Sequence, residues 1–365
     1  MSHLFLALIR GQAHKTDKTS ARLRSSLLPA LALITLLAQT PAAAQQAATG
    51  AAERPANAKF TVPRTAWGDP DLQGVYTFAT LTPFQRPAAQ ASKDILTEEE
   101  TKALEEQLKK KQAENIATNE HFSYNALWFA SDEGRPTGRT SIIIDPEDGR
   151  LPPLTEQAQK LRAETQARAA TKRIGKDQLV DTWEDISLYN RCVARPMPRV
   201  TQEYNQGAQI LQTPGYVTIF YESMHDVRSI PLDGRPHLDS KLRLWNGDAR
   251  GHWEGDTLVV DWTNFTDRQK SDGSAPFGGL PQGNMHVTER FRKVDANTLD
   301  YIVTVEDPTV WTRPFTFYLP WRGDDPTYRG PDDLFEYACH EGNYRMLENA
   351  ITAAKAVRAG QAGKK

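Results

Sequence analysis

The sequence predicts a mainly β protein, an antiparallel up-and-down barrel with two peripheral helices on its N-terminal side. Three observations predict it. After about residue 208 the chain breaks into short runs such as YVTIFYE, TLVVDWTNF and TLDYIVTVE, rich in the β-branched and aromatic residues that suit a pleated, half-buried surface. Tight turn signals join successive runs, at Pro214-Gly215, Gly247-Asp248, Gly255-Asp256 and Asp295 to Asn297, and short connections make neighbouring strands antiparallel. The runs are many, and a long row of strands avoids exposed edges most simply by closing on itself. A lipocalin-like barrel is the expected architecture, with a two-sheet β-sandwich as the alternative.

Taken in order, residues 1–44 read as a secretory signal peptide. Arg22 and Arg24 precede an apolar run from Leu27 to Leu37, and small residues lead up to Gln45; this is the layout of an exported leader with an Ala-x-Ala-type cleavage site. The run is too short for a membrane span, and no later segment qualifies as one. Residues 45–64 are a small-residue, flexible leader. Residues 65–207 form a wrapping and helical segment, opened by the turn-rich TAWGDPDLQGVYTF. Its first helix, expected over 97–115, starts with Thr97 and carries Glu100 three residues on, a capping box. Its second, over 155–172, starts with Thr155 after Pro152 and Pro153. Between them TSIIIDP reads as a buried strand. Residues 208–345 are the barrel, with strands expected at QILQT, YVTIFYE, VRSIPL, LRLWN, GHWE, TLVVDWTNF, HVTERFRKV, TLDYIVTVE, PFTFYLPW and LFEYACHE. Residues 346–365 are a C-terminal helix or tail.

Composition narrows the classes. A formal net charge of −2 with basic residues dispersed among acids gives no electrostatic footprint for nucleic acid or an anionic membrane. Only Cys192 and Cys339 occur; in an oxidising compartment they are expected to pair, closing a long loop that contributes roughly 4–5 kcal/mol in the chain-entropy account. The expected location is periplasmic or secreted.

The stretches WGDPDLQGVY, GRLPPLT, QTPGYV, HDVRSIPLDGRPH, GHWEGDTLVVDWTNF, VEDPTVWTRPF and EYACHEGNY together resemble a family of exported bacterial proteins without an assigned activity. The resemblance runs from about Trp67 to Tyr344. It implies export and one shared architecture, and it carries no catalytic residue onto these positions.

Chemistry must therefore be read from the residues. The chain has no Gly-x-Ser-x-Gly elbow, no His-Glu-x-x-His, no P-loop and no dinucleotide fingerprint, so no cofactor is expected. The mature histidines, His121, His225, His237, His252, His286 and His340, lack short ligand spacings, and no metal is expected. In YESMHDVRSIP, His225 beside Asp226 and Arg228 offers a base with a cation near it, although a polar hairpin corner explains the same residues. In HVTERFRKV, alternation puts His286, Thr288, Arg290 and Arg292 on one face and Val287, Glu289 and Phe291 on the other; Val287 and Phe291 are core-directed or ligand-directed, which makes His286 external. In EYACHEGNY, a strand would bury Cys339 and turn His340 to the opposite face, with His340 and Glu341 at the strand end before Gly342. Glu306 with Asp307, and Glu254 with Asp256, are read as turn residues before glycoside-type acid pairs.

The expected function is a cofactor-independent enzyme, a lyase, isomerase or hydrolase. It would act by acid/base chemistry on a hydroxylated or carbohydrate-like small molecule. His225 and His340 are the candidate proton-transfer groups, Arg228 the charge stabiliser and Glu341 the orienter. Trp245, Trp262, Trp311 and Tyr221 are the candidate ligand-binding rings, though core packing claims aromatics equally well. The alternative is a non-catalytic periplasmic binder of apolar or aromatic small molecules.

Overall fold

The structure, a computed structural model, describes residues 60–118, 134–171, 173–174, 177–178, 180, 182–195, 197–200, 205–267, 280–323 and 334–362. The expected signal peptide and residues 45–59 of the leader lie outside the described residues. So does His121. All described residues fall in one unit, Ala43–Lys365.

Thirteen strands are described: β1 (Gly74–Thr77), β2 (Ile143–Asp145), β3 (Arg173–Ile174), β4 (Asp177–Gln178), β5 (Gly207–Thr213), β6 (Tyr216–Tyr221), β7 (Val227–Pro231), β8 (Asp248–Glu254), β9 (Thr257–Thr263), β10 (His286–Lys293), β11 (Thr298–Glu306), β12 (Phe315–Tyr318) and β13 (Trp321–Gly323). β3 and β4 make a small separate hairpin. The main sheet runs β7-β6-β5-β1-β13-β11-β10-β9-β8, every pair antiparallel. Along one edge of β11 the sheet forks: β13 pairs at Thr298 and Leu299, whereas β12 pairs from Ile302 to Val305 and carries β2 on its far side. The two ends of the row, β7 and β8, meet without a ladder. Gly251 of β8 lies so close to Ile230 and Leu232 that a Cβ there would stand 2.7–2.8 Å from their methyl carbons. The barrel is thus nearly closed, its seam made by side chains. The expected barrel is correct, and the wrapping segment contributes β1 to it.

The interior follows the two-residue period of each strand. Val217, Ile219 and Tyr221 of β6, Leu258, Val260 and Trp262 of β9, Val287 and Phe291 of β10, and Leu299, Tyr301, Val303 and Val305 of β11 all join one core. Trp321 is its hub. Its ring lies 5.2–6.5 Å from those of Tyr76, Phe78, Tyr221, Phe291 and Tyr301, within the range where edge and offset contacts each add about 0.5–1.5 kcal/mol beyond burial.

Three helices sit outside: α1 (Glu98–Thr118), α2 (Glu156–Thr171) and α3 (His340–Ala362). The capping box of α1 is formed, with Thr97 N–H donating to Glu100 Oε2 (2.8 Å) and Glu100 N–H to Thr97 Oγ1 (3.2 Å). At α2 the Thr155 hydroxyl accepts from Ala158 N–H (3.1 Å) and donates to Thr309 O (2.8 Å), tying the helix to the barrel's exterior.

Two expected strands are corrected. LRLWN is a loop whose sole strand-like contact among the described residues is the bridge Leu244–Phe265; its alternating leucines point outward rather than into a core. LFEYACHE is not a strand either. Residues 334–339 are irregular and α3 begins at His340. The alternation there was too short to outweigh the Ala-rich, helix-favouring residues that follow, NAITAAKAV, with Glu341 in the first helical turn where an acid suits the dipole. Cys192 and Cys339 are joined as expected, with S–S 2.07 Å and Cα–Cα 5.8 Å. Among the described residues no helix is long and apolar enough to cross a membrane.

Candidate active site

The side chains best arranged for proton transfer lie on the outside of the barrel, on β8, β9 and β10. On β9, Val260 and Trp262 point inward, so Asp261 between them points outward. On β10, Val287 and Glu289 point inward, so His286 and Thr288 point outward. Register completes the placement. Thr288 stands opposite Asp261, which makes His286 the diagonal neighbour, within reach of a long side chain. Arg250 of β8 lies opposite Asp261 on its other side, two residues from Asp248. His237 arrives from the loop after β7.

These residues form one chain of hydrogen bonds. Arg250 Nη1 donates to Asp248 Oδ1 (2.6 Å). Asp248 Oδ2 accepts from Leu238 N–H (2.9 Å) and lies 2.9 Å from His237 Nδ1. His237 Nε2 lies 2.6 Å from Asp261 Oδ1, and His286 Nε2 lies 2.5 Å from Asp261 Oδ2. One carboxylate therefore holds two imidazoles, one on each oxygen. An ionised carboxylate only accepts, so Nε2 of His286 is the donor and its Nδ1 carries the lone pair of the neutral ring. Among the described residues Nδ1 has no hydrogen-bond partner, and His286 and Asp261 are 38% and 40% exposed. An imidazole oriented through one nitrogen and open at the other is the arrangement of a general base.

The electrostatics favour the imidazolium that proton transfer to His286 would form. The hydrogen bond to Asp261 outweighs burial and raises His286 above the usual histidine range, with Glu306, its cross-strand partner, adding to the effect. Burial works to raise Asp261, yet the hydrogen bonds from His286 and His237 prevail and hold its carboxyl below the usual range. Asp248 behaves alike: burial raises it, while Leu238 N–H, His237 and Arg250 together bring it lower. Among the described residues no group of three or more His, Cys, Asp or Glu could hold a metal ion.

The inner face of the same strands carries a second, buried network. Arg228 is held by Glu289 through two hydrogen bonds (3.2 and 2.5 Å), and it donates to Tyr221 Oη (3.1 Å). Tyr301 Oη donates to Glu289 Oε1 (2.5 Å). The Arg228 guanidinium lies 3.8 Å from the centre of the Trp262 ring. Glu289 is 0% and Arg228 3% exposed. Burial disfavours the Arg228 charge, but Glu289 more than offsets it and raises Arg228 above its ordinary range. Burial, with Glu289 adjacent, raises the Tyr301 phenol well above its own. Beside them Arg199 pairs with Asp226; burial lowers Arg199 to about 10 and raises Asp226.

The sequence-derived candidates divide accordingly. Arg228, Tyr221 and Trp262 do come together, as members of the buried network. His225 is exposed in a turn with φ 51°, its ring 6.4 Å from that of Tyr337. His340 and Glu341 are exposed in the first turn of α3, apart from the strand end expected for them. Trp311 packs on Phe315 in the core (5.6 Å), and Trp245 is 39% exposed on the surface. Sequence reasoning placed His286 outside correctly but left it without a role, and it did not single out His237, Asp248 or Asp261. Alternation alone could have put Asp261 and His286 on outer faces. Their meeting depends on the β9–β10 register, and that of His237 on the course of a loop.

No family model and no curated protein matches the chain. Among solved structures it is similar to a secretary abundant heat soluble (SAHS) protein from Ramazzottius varieornatus, at 10% identity and a TM-score of 0.22, over 37% of this chain and 85% of that one. So slight a likeness carries no argument, and the barrel rests on its own strand order.

Proposed function

We propose that this protein is an exported enzyme, periplasmic or secreted, that acts by general acid/base catalysis on a hydroxylated or carbohydrate-like small molecule. The reaction is a lyase, isomerase or hydrolase step, and His286 is the proton-transfer group. Membership of the exported bacterial family that the motifs resemble belongs to the same proposal. The carrying observation is the Asp261 carboxylate that fixes both imidazoles while His286 Nδ1 faces outward without a protein partner among the described residues. Nδ1 takes a proton from the substrate, and the imidazolium so formed keeps its Nε2–H on Asp261, whose charge stabilises it. His237, Asp248 and Arg250 are positioning residues that hold Asp261 from behind. This reading moves the reacting centre from His225 and His340 to His286. The alternative of an apolar ligand inside the barrel gains no support from an interior filled by Trp262, Trp321, Tyr221, Phe291, Tyr301 and Phe317.

The test is untargeted metabolite turnover by purified mature protein, scored against His286→Gln and Asp261→Asn. Loss of one and the same turnover in both variants supports the proposal. Turnover that survives His286→Gln, or its absence from the wild type across a broad metabolite extract, overturns it.

A further inference from the structure

Directly across from His286, in the register of β10 and β11, stands Glu306. Leu299, Tyr301, Val303 and Val305 of β11 point into the core, so Glu306, the next residue, points outward on the same sheet face as His286. Side chains directly opposite on antiparallel strands start about 4.5–5.5 Å apart at Cβ. The charge of Glu306 is felt at His286, where it adds to that of Asp261 in raising the imidazole. Both strand ends are fixed by their turns. Before His286, Met285 N–H donates to Gln282 O (3.0 Å) and Gly283 N–H to Asp267 Oδ1 (2.6 Å). After Glu306, Asp307 Oδ1 accepts from Thr309 N–H (3.0 Å) and from the Thr309 hydroxyl (2.5 Å), and Trp311 N–H donates to Asp307 O (2.8 Å). Asn284 Nδ2 donates to Thr309 Oγ1 (3.4 Å), which joins one turn to the other. Asp307 is thereby accounted for as a turn residue. Glu306 is not: it is half-buried, and among the described residues its carboxylate accepts no hydrogen bond.

A carboxylate without a hydrogen-bond partner, beside an imidazole without one at Nδ1, gives two groups able to exchange protons with a bound molecule. We infer that Glu306 is the second proton-transfer group of the site, serving a different substrate atom from His286 and reaching it from the same side. The inference rests on the proposed chemistry at His286 and narrows it. His286 Nδ1 takes a proton from one substrate atom, and the Glu306 carboxyl gives its proton to another. The imidazolium then passes the Nδ1 proton to the Glu306 carboxylate, and both groups end as they began. Two groups on one sheet face meet one side of the substrate. That fits a syn elimination of water from a hydroxylated carbonyl compound, or an isomerisation of one whose proton leaves and returns on one side. It does not fit glycoside hydrolysis, in which the two groups flank the bond.

The experiment has two measurements, and the first needs no substrate. NMR titration of the His286 imidazole in the whole protein, assigned with His286→Gln, compares wild type with Glu306→Gln. Loss of the cross-strand charge is expected to lower the His286 midpoint by about 0.2–0.7 of a pH unit. The second follows turnover of a broad metabolite extract, supplemented with aldoses, ketoses and 3-hydroxy acids, in heavy water. Mass spectrometry reads deuterium uptake and loss of water. Glu306→Gln is expected to lower the rate about 10²-fold or more, and Glu306→Asp to recover part of it. Glu306→Thr, suited to a strand, replaces Glu306→Gln in both measurements should the latter fail to fold. An unmoved midpoint overturns the inference, as does a Glu306→Gln rate equal to wild type while His286→Gln abolishes turnover; either leaves His286 standing. A product of glycoside hydrolysis overturns the same-side assignment. Turnover that survives His286→Gln, or its absence from the wild type, overturns the reading beneath it and the pair with it.

Discussion

Strands β9 and β10 carry a charge network on each face, and the two are built to opposite ends. Inside, Arg228 and Glu289 meet two tyrosines and the face of Trp262, so both oxygens of the acid are taken and no water reaches it. Outside, Asp261 is held as fully, by His237 and His286, yet the chain of hydrogen bonds ends on an imidazole that is 38% exposed and whose Nδ1 has no partner among the described residues. One residue separates the two along β9, where Trp262 supports the inner network and Asp261 centres the outer one. A barrel wall one strand thick lets a rigid, desolvated pair brace the position of an accessible one. Burial of the acid marks the inner network, in which Arg228 Nε itself lacks a partner, and an accessible imidazole marks the outer one.

Removing one partner from each network breaks or sharpens that contrast. Arg228→Met leaves Glu289 buried without its cation and is expected to cost about 3–5 kcal/mol, read as a shift of the urea midpoint. Arg228→Met/Glu289→Leu should recover most of that loss, since replacing a whole buried pair by apolar groups is often neutral. Asp261→Asn removes the centre of the outer network, but Asp261 and His286 are both more than a third exposed, and the cost should stay under about 1 kcal/mol. Equal losses inside and outside would show that the outer cluster is a structural brace as well.

Turnover should sort the residues the other way. His286→Gln is expected to lower the rate about 10²–10⁴-fold, the usual worth of a positioned general base, with little change in melting temperature. His237→Gln should cost less, because His286 keeps its own bond to Asp261 while the carboxylate loses its second support. His340→Ala, at the exposed start of α3, is expected to change stability by no more than about 0.5 kcal/mol and leave turnover unaltered. A rate loss in His340→Ala equal to that in His286→Gln would return the reacting centre to the position first read from EYACHEGNY.

The legible part of the sequence was the part that local rules decide. Alternation in HVTERFRKV put Glu289 inward and His286 outward, Thr97 and Glu100 announced α1, and the cysteine pair could join in only one way within the chain. Where a local pattern was short, it misled: Glu336, Ala338 and His340 alternate like a strand, but the helix-favouring residues downstream decide their neighbourhood. The site itself was not legible, because it depends on non-local facts. The diagonal contact from His286 to Asp261 follows from pairing register, and His237 reaches the same carboxylate from a loop 24 residues upstream of it. Glu289 was legible in direction but not in meaning. An acid on a core face points to a buried cation, and the cation proved to be Arg228, 61 residues away.

The smallest expected effect is in the pH dependence of stability, and there the outer carboxylate Asp261 and the inner carboxylate Asp226 differ in sign. His286 is raised above its ordinary 6.5 by Asp261, so the stability it gains as imidazolium is fully present below 6.5 and is lost as pH rises through the raised folded value. Asp261 is held below its ordinary 3.8, so its contribution is present above 3.8 and is lost as pH falls through the lowered folded value. The outer network therefore contributes most between those two ordinary values. Asp226, inside, is raised by burial; the folded protein holds its proton more readily than the unfolded chain, and stability falls as pH rises from 3.8 through the raised value. Urea midpoints of wild type and Asp261→Asn, measured across this range, should differ most between 3.8 and 6.5 and converge on either side. The difference should shrink in high salt, because these charges are partly exposed. Asp226→Asn should instead remove a decline that begins near 3.8, with little response to salt because the pair is buried. A wild-type minus Asp261→Asn difference that stays constant with pH would mean that the two imidazoles do not share the Asp261 charge, and the outer chain of hydrogen bonds would lose its role in holding His286.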